Sequence, residues 1–158
     1  MATTREQTPT IHSVTLRRTF AVPRDRVFRA WTEPEQMQLW SGPGPMLNTM
    51  VEVDLRVGGR YRIQMQGPDG KEYRAVGTYR LVDPPRKLVY TWLWETDPTP
   101  NETIVTVEFR ERDKSTELIL THDLFLSDEQ RKGHEDGWNG CLEKFATVIS
   151  SEYKERRP

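Results

Sequence analysis

The chain has a single cysteine, Cys141, so it can form no internal disulfide, and secretion scaffolds stapled by several such bonds are excluded. It carries almost no net charge: 23 basic residues face 24 acidic ones, for a balance of −1. Nucleic acid and anionic membrane are therefore not expected as main partners, because both reward a strongly basic surface. Long apolar runs are also missing. No stretch approaches the ~20 residues of a membrane span, and the polar start, Met1 to Ile11, has no apolar segment of the signal-peptide kind. A cytoplasmic protein is expected. There is no G-x-S-x-G elbow, no H-E-x-x-H helix and no phosphate-cradling glycine loop before a helix.

What is present is strand. Val14 to Phe20 alternates roughly and reads as a first strand. Pro23 suits the first turn of a short helix with Val27, Ala30 and Trp31 on one face. Thr32-Glu33-Pro34-Glu35 has a capping-box pattern and opens a second short helix with Met37 and Trp40. Ser41-Gly42-Pro43-Gly44-Pro45 stops it. Strands are then expected at 50–55, 60–65, 73–82, 87–94, 102–110 and 115–121, separated by Gly/Pro/Asp turns, for seven in all.

Strand alternation sorts side chains by face. Tyr61, Ile63 and Met65 share one face, as do Tyr90, Trp92 and Trp94. Val105, Val107 and Phe109 form another set, and Leu118, Leu120 and His122 another. Parity within 73–82 is ambiguous, and Gly77 is the expected bulge. A last, long helix is expected from an N-cap at Ser127 to about Tyr153, with Gln130 completing a capping box. Its apolar stripe is Trp138, Cys141, Leu142, Phe145, Val148 and Ile149, at the spacing of one buried helix face. His134 lies one turn before Trp138. Gly137 in the helix interior costs about 1 kcal/mol against alanine, a cost that calls for a packing or pocket reason.

In this order the residues resemble a known family. Ala21-Val22-Pro23, Val27 to Trp31, Thr32 to Glu35 with Trp40, Gly58-Gly59-Arg60-Tyr61, Gly77-Thr78-Tyr79, Asp83 to Leu88, Thr121-His122 and His134 to Trp138 carry the resemblance. It is to the START-like (SRPBCC) superfamily, and within it to homologues of the activator of heat-shock protein 90 ATPase. The resemblance implies an α+β, helix-grip (START-like) fold. In it a curved seven-stranded antiparallel sheet surrounds a long C-terminal helix, with two short helices after the first strand. It spans a single domain, residues 13–153, between a polar tail at 1–12 and a tail at 154–158. It also implies a hydrophobic ligand held between sheet and helix. Some branches of the superfamily are cyclases or hydratases. The eukaryotic activator uses a further N-terminal domain to engage its chaperone, and this chain has no room for one.

The expected function is therefore binding of a hydrophobic or aromatic small molecule. Trp40, Tyr61, Ile63, Met65, Trp92, Val107, Leu120, His122, His134 and Trp138 are the expected lining, with the histidines orienting a polar group of the ligand. A cyclase or hydratase moving a proton through His122 or His134 is the alternative, and a chaperone-linked interaction module is the third reading. No cofactor and no metal are expected. His122, Asp123, His134, Glu135 and Asp136 cluster in sequence but match no zinc spacing. Cys141, on the apolar helix face, is expected to be an inert buried thiol. If the chain self-associates, a homodimer is the commonest arrangement.

Overall fold

The computed structural model describes residues 12–42 and 44–156, with side chains up to 150. The element order is β1 (His12–Phe20), α1 (Arg24–Thr32), α2 (Pro34–Trp40), β2 (Leu47–Val53), β3 (Arg60–Gln66), β4 (Glu72–Asp83), β5 (Lys87–Trp94), β6 (Thr103–Arg112), β7 (Ser115–Phe125) and α3 (Asp128–Arg156). One antiparallel sheet runs β1-β7-β6-β5-β4-β3-β2. Only the β1–β7 pairing joins strands distant in sequence, because the two short helices and the meander lie between them. This is the expected helix-grip architecture. The expected tail at 1–12 lies outside the described residues except for His12, which opens β1. At the other end α3 continues to Arg156.

The alternating faces fall as the period of two requires. Tyr61, Ile63 and Met65 are buried while Arg60 and Arg62 are exposed, and Val105, Val107, Phe109, Leu118, Leu120 and His122 all point inward. The core they build is unusually aromatic. Phe145 of α3 meets Phe20, Trp31 and Trp40 edge-on, with ring centroids 5.4, 5.1 and 5.1 Å away. Such pairs add about 0.5–1.5 kcal/mol each beyond the area they bury. Trp31 donates to the Tyr90 hydroxyl at 3.2 Å, and Trp40 donates to the Ala30 carbonyl at 2.8 Å. Those two bonds fasten α1 and α2 beneath α3.

Three local expectations are corrected. Thr32 does not cap α2. Its hydroxyl donates back to the Phe28 carbonyl at 2.9 Å, within α1, and the N-cap of α2 is Glu33, which makes no side-chain cap bond. A threonine at a helix end has the i−4 carbonyl in reach, and here that acceptor wins. The bulge in β4 is at Arg80, not Gly77: the register against β5 shifts between Tyr79 and Leu81. Arg80 and Leu81 thus both face outward, which resolves the ambiguous parity. Finally, β7 does not end near His122 but continues to Phe125.

That extension depends on a strained residue. Leu124 sits at φ +75°, and its backbone N–H is held by the Asp123 carboxylate at 2.8 Å. The resulting kink lets His122 and Phe125, three positions apart, both turn inward, with ring centroids 4.4 Å apart. A left-handed leucine costs roughly 1–2 kcal/mol, and glycine in the same place costs about 0.5–1 kcal/mol in unfolded-chain entropy. Leu124→Gly is therefore expected to leave stability unchanged or raise it by up to about 1 kcal/mol in urea unfolding. A loss of more than about 1 kcal/mol would show that the side chain, not the backbone, holds this corner.

Candidate functional site

The inward face of α3 divides in two. Its C-terminal half, through Leu142, Phe145 and Ile149, is packed solid. Its N-terminal half is not. Between it and the ends of β3 and β5 lies a cavity of about 250 Å³, lined by Ser41, Met65, Trp92, Trp94, Gln130, Gly133, His134, Gly137, Trp138 and Cys141.

Two features of α3 leave this space open. The helix starts at a formed cap: the Ser127 hydroxyl accepts the Gln130 backbone N–H at 3.1 Å, and the Gln130 side chain accepts the Leu126 N–H at 3.1 Å. The expected box is thus present, with its return arm one residue earlier. Gly133 and Gly137, one turn apart, then place no side chain into the space between Gln130, His134, Trp138 and Cys141. A Cβ placed on Gly133 would meet nothing within 4 Å. Gly137 lines the same cavity, which supplies the pocket reason sought for it. The helix is held on the opposite bank by Lys144, which donates to the carbonyls of Gly42 at 2.5 Å and Met46 at 3.3 Å. The Cys141 thiol points to the Ser41 carbonyl at 3.4 Å, and burial pushes it up to about 12, so it stays protonated and unreactive at neutral pH.

The two histidines lie edge to face with centroids 5.2 Å apart. His122 is completely buried. Its Nδ1 receives the Trp138 indole N–H at 2.9 Å, and an indole only donates, so this nitrogen is bare. The proton is therefore on Nε2, which lies 2.7 Å from the Thr103 hydroxyl. Thr103 in turn donates to the Trp92 carbonyl at 3.1 Å. The chain of bonds from α3 through β7 to β6 and β5 is closed, and it keeps His122 neutral. Burial, with His134 nearby, depresses its imidazole to about 2. His134 is the mirror case. Its Nε2 accepts the Trp94 indole N–H at 2.9 Å, so its proton is on Nδ1, donated to the Gln130 carbonyl at 2.8 Å. Burial lowers its pKa as well.

Of the expected lining, the structure brings together Met65, Trp92, His134 and Trp138 at the cavity. Trp40, Tyr61 and Ile63 border not this cavity but a space of about 20 Å³ deeper in the sheet, whose lining shares Trp92 and Trp138 with the larger one. Val107 and Leu120 are fully buried core, and His122 stands behind Trp138 with no ring nitrogen left for a ligand. The alternation of Tyr90, Trp92 and Trp94 pointed to Trp94. Gly133 was signalled only by its helical spacing from Gly137.

Four of the five tryptophans have an acceptor for the indole N–H: Trp31, Trp40, Trp94 and Trp138. The fifth does not. Trp92 is 7% exposed, and its Nε1 is buried without a hydrogen-bond partner among the described residues. No lysine, arginine, aspartate or glutamate lines the cavity. Among the described residues no group of three or more histidine, cysteine or acidic side chains could hold a metal, and no helix is long and apolar enough to cross a membrane.

Comparison with known proteins agrees with this architecture. The family model described as activator of Hsp90 ATPase homolog 1-like protein matches residues 21–150. An AHSA1 protein of Silicibacter pomeroyi has a similar solved structure, with 28% identity, a TM-score of 0.79, and coverage of 89% of this chain and 99% of that one. A protein of Nitrosomonas europaea is 26% identical at TM-score 0.76, covering 90% and 96%. One from Chromobacterium violaceum shares the fold at TM-score 0.80 and 23% identity, covering 87% and 96%. No curated protein matches this chain. With the family model covering most of its length and the helix-grip fold in place, the chain belongs to the activator of Hsp90 ATPase homolog 1-like family of the START-like superfamily.

Proposed function

We propose that this protein binds a small hydrophobic or aromatic molecule in the cavity under the first half of α3. The observation that carries the reading is a 250 Å³ space walled by Met65 and three indoles and kept open by helix glycines. Pockets for small ligands run from about 300 to 1,000 Å³, so a cavity of this size suits a ligand of one or two rings. The glycines add weight. Gly133, Gly137 and Gly140 lie within one helix, and each costs about 1 kcal/mol against alanine, so this part of α3 is built against its own stability. Catalysis by a cavity histidine finds less support. Both nitrogens of both rings are already engaged, and burial disfavours the protonated form of each. Cytoplasmic placement fits a lone, buried thiol.

The test is a titration with 1-aminonaphthalene, an uncharged two-ring fluorescent probe, following the quenching of tryptophan emission. One site per chain is expected. Gly133→Phe, which pushes a ring into the open space, should abolish binding while leaving the melting temperature equal or higher. Failure of the wild type to bind, or unimpaired binding by Gly133→Phe, would count against the cavity as the site.

A further inference from the structure

We infer that Trp94 sets the size of ligand this site accepts: its indole is the partition that stops the cavity at a molecule of about two rings, and shortening it joins the cavity to a larger outer groove. The inference rests on the binding reading above and names the residue that determines its specificity. Two spaces meet at this half-buried ring. Inside is the 250 Å³ cavity. Outside is a groove of about 540 Å³, bordered by Met46, Tyr73 and the exposed turn residues Thr96, Asp97 and Pro98. Among the described residues, Trp94 alone lines both.

Local structure explains why the ring stands there. Trp94 is the last residue of β5 and is in phase with Tyr90 and Trp92 on the inward face. Beyond it the chain turns back, and the Asp97 backbone N–H donates to the Trp94 carbonyl at 3.1 Å. The indole is thus the final inward side chain of this strand. Trp92 meets it edge-on at 5.5 Å and His134 is tilted against it at 6.3 Å, both of them cavity residues. Tyr73, a groove residue, meets it edge-on at 6.4 Å. The ring is therefore flanked by the linings of both spaces, and the bond from its Nε1 to His134 Nε2 at 2.9 Å holds it between them.

The consequence is a limit on ligand length. Small-ligand pockets run from about 300 to 1,000 Å³. The inner space alone falls short of that range, and joined to the groove it would fall within it. Toward the sheet its walls are Met65, Trp92 and Trp138, all buried. Toward solvent it opens at Gly133, which is exposed. A third ring added to a bound two-ring molecule therefore has no dry place to go. Projecting past Gly133 it stays in water and gains little, because the gain follows the apolar area removed from water. With Trp94 cut back, the same ring passes into the groove beside Met46 and Tyr73.

Two probes that differ by one ring test this: 1-aminonaphthalene and N-phenyl-1-naphthylamine, titrated into the full-length protein at pH 7.5 and followed by fluorescence. In the wild type the two affinities should agree within about threefold, because the added ring is not buried. In Trp94→Ala, N-phenyl-1-naphthylamine should bind about tenfold or more tightly than 1-aminonaphthalene, the order expected for burying one more ring. Trp94→Leu, a smaller apolar side chain, should shift the ratio the same way and serves if the alanine variant does not fold. Adding Thr96→Trp to either variant should cancel the gain. The Thr96 side chain lies at the groove, its hydroxyl accepting the Arg74 backbone N–H at 3.3 Å, so an indole there fills the space the added ring would take. A tenfold preference already present in the wild type, a ratio unchanged in both Trp94 variants, or a gain that survives Thr96→Trp would each overturn the inference. Failure of both probes to bind the wild type would instead strike at the cavity reading itself.

Discussion

His122→Ala is expected to cost about 4 kcal/mol of stability at pH 7 in urea unfolding, although the ring does not line the cavity. Truncating a fully buried large side chain to alanine costs about 2–5 kcal/mol through lost contacts and the cavity left behind. The loss here includes the acceptor of the Trp138 indole and the donor to Thr103, and each buried group left unpaired costs about 1–3 kcal/mol. The cavity can relax and admit water, which keeps the total below the sum. A cost under about 1.5 kcal/mol would mean that His122 is not the keystone of this bond chain.

The same residue makes stability depend on pH in a defined direction. In the folded protein the His122 imidazole is depressed to about 2, whereas in the unfolded chain it titrates near 6.5. Protons therefore bind the unfolded state preferentially, and stability present above pH 6.5 is lost as pH falls. The loss continues until pH reaches the folded value. Below 6.5 the slope approaches about 1.4 kcal/mol per pH unit for one histidine, so about 2 kcal/mol disappears between pH 6.5 and 5. His134, also lowered by burial, acts in the same direction. The carboxylates of Glu95, Glu117 and Asp128, held low by arginines, act in that direction too, but only at lower pH. The window from 6.5 to 5 therefore reports mainly the histidines, and His122→Ala should flatten it.

Gly77→Ala is expected to cost about 3 kcal/mol or more, and Gly133→Ala to do the opposite. A Cβ on Gly77 would lie 1.9 Å from the Thr91 carbonyl oxygen and 2.6 Å from the Tyr61 ring and hydroxyl. Tyr61 lies across Gly77 in the β3–β4 pairing and donates to that same Thr91 carbonyl at 2.5 Å. The methyl group cannot be accommodated by a rotamer change, because one of its neighbours is backbone. Either β5 moves or Tyr61 leaves, and overpacking a core typically costs about 1–3 kcal/mol even when only side chains must give. On Gly133 the same methyl meets nothing within 4 Å in a helix, where alanine gains about 1 kcal/mol over glycine. Thermal unfolding of the two variants should therefore move in opposite directions. If both moved the same way, the close approach at Gly77 or the open space at Gly133 would be misplaced.

These examples show which parts of the fold were legible from residues alone. The faces of β3, β5, β6 and β7 were, because alternation of large apolar and charged side chains has a period of two and tolerates no other register. Ser127 and Gln130 marked the start of α3 because their reach to backbone N–H groups is local. The bulges at Arg80 and Leu124 were not legible. Each is set by pairing with a strand whose register is known only once the sheet is assembled. The site was half legible. Met65, Trp92, His134 and Trp138 followed from periodicity, but which aromatics fill space and which border a void depends on how far α3 stands from the sheet. That distance is set by Lys144 against the Gly42 and Met46 carbonyls and by Phe145 among Phe20, Trp31 and Trp40. The role of His122 was the least visible. An inward histidine at a strand end reads as a ligand-orienting group until Trp138 and Thr103 are seen to occupy both of its nitrogens.

The central claim is that the space under the first half of α3 is a ligand site and not a flaw in packing. Crystals of the wild-type protein grown with saturating 1-tetralone test it directly. The account predicts density for the bicyclic molecule between Met65, Trp92, Gly137 and Trp138. A cavity closed by Trp94 or Trp138 swung inward, with no bound molecule, would contradict it.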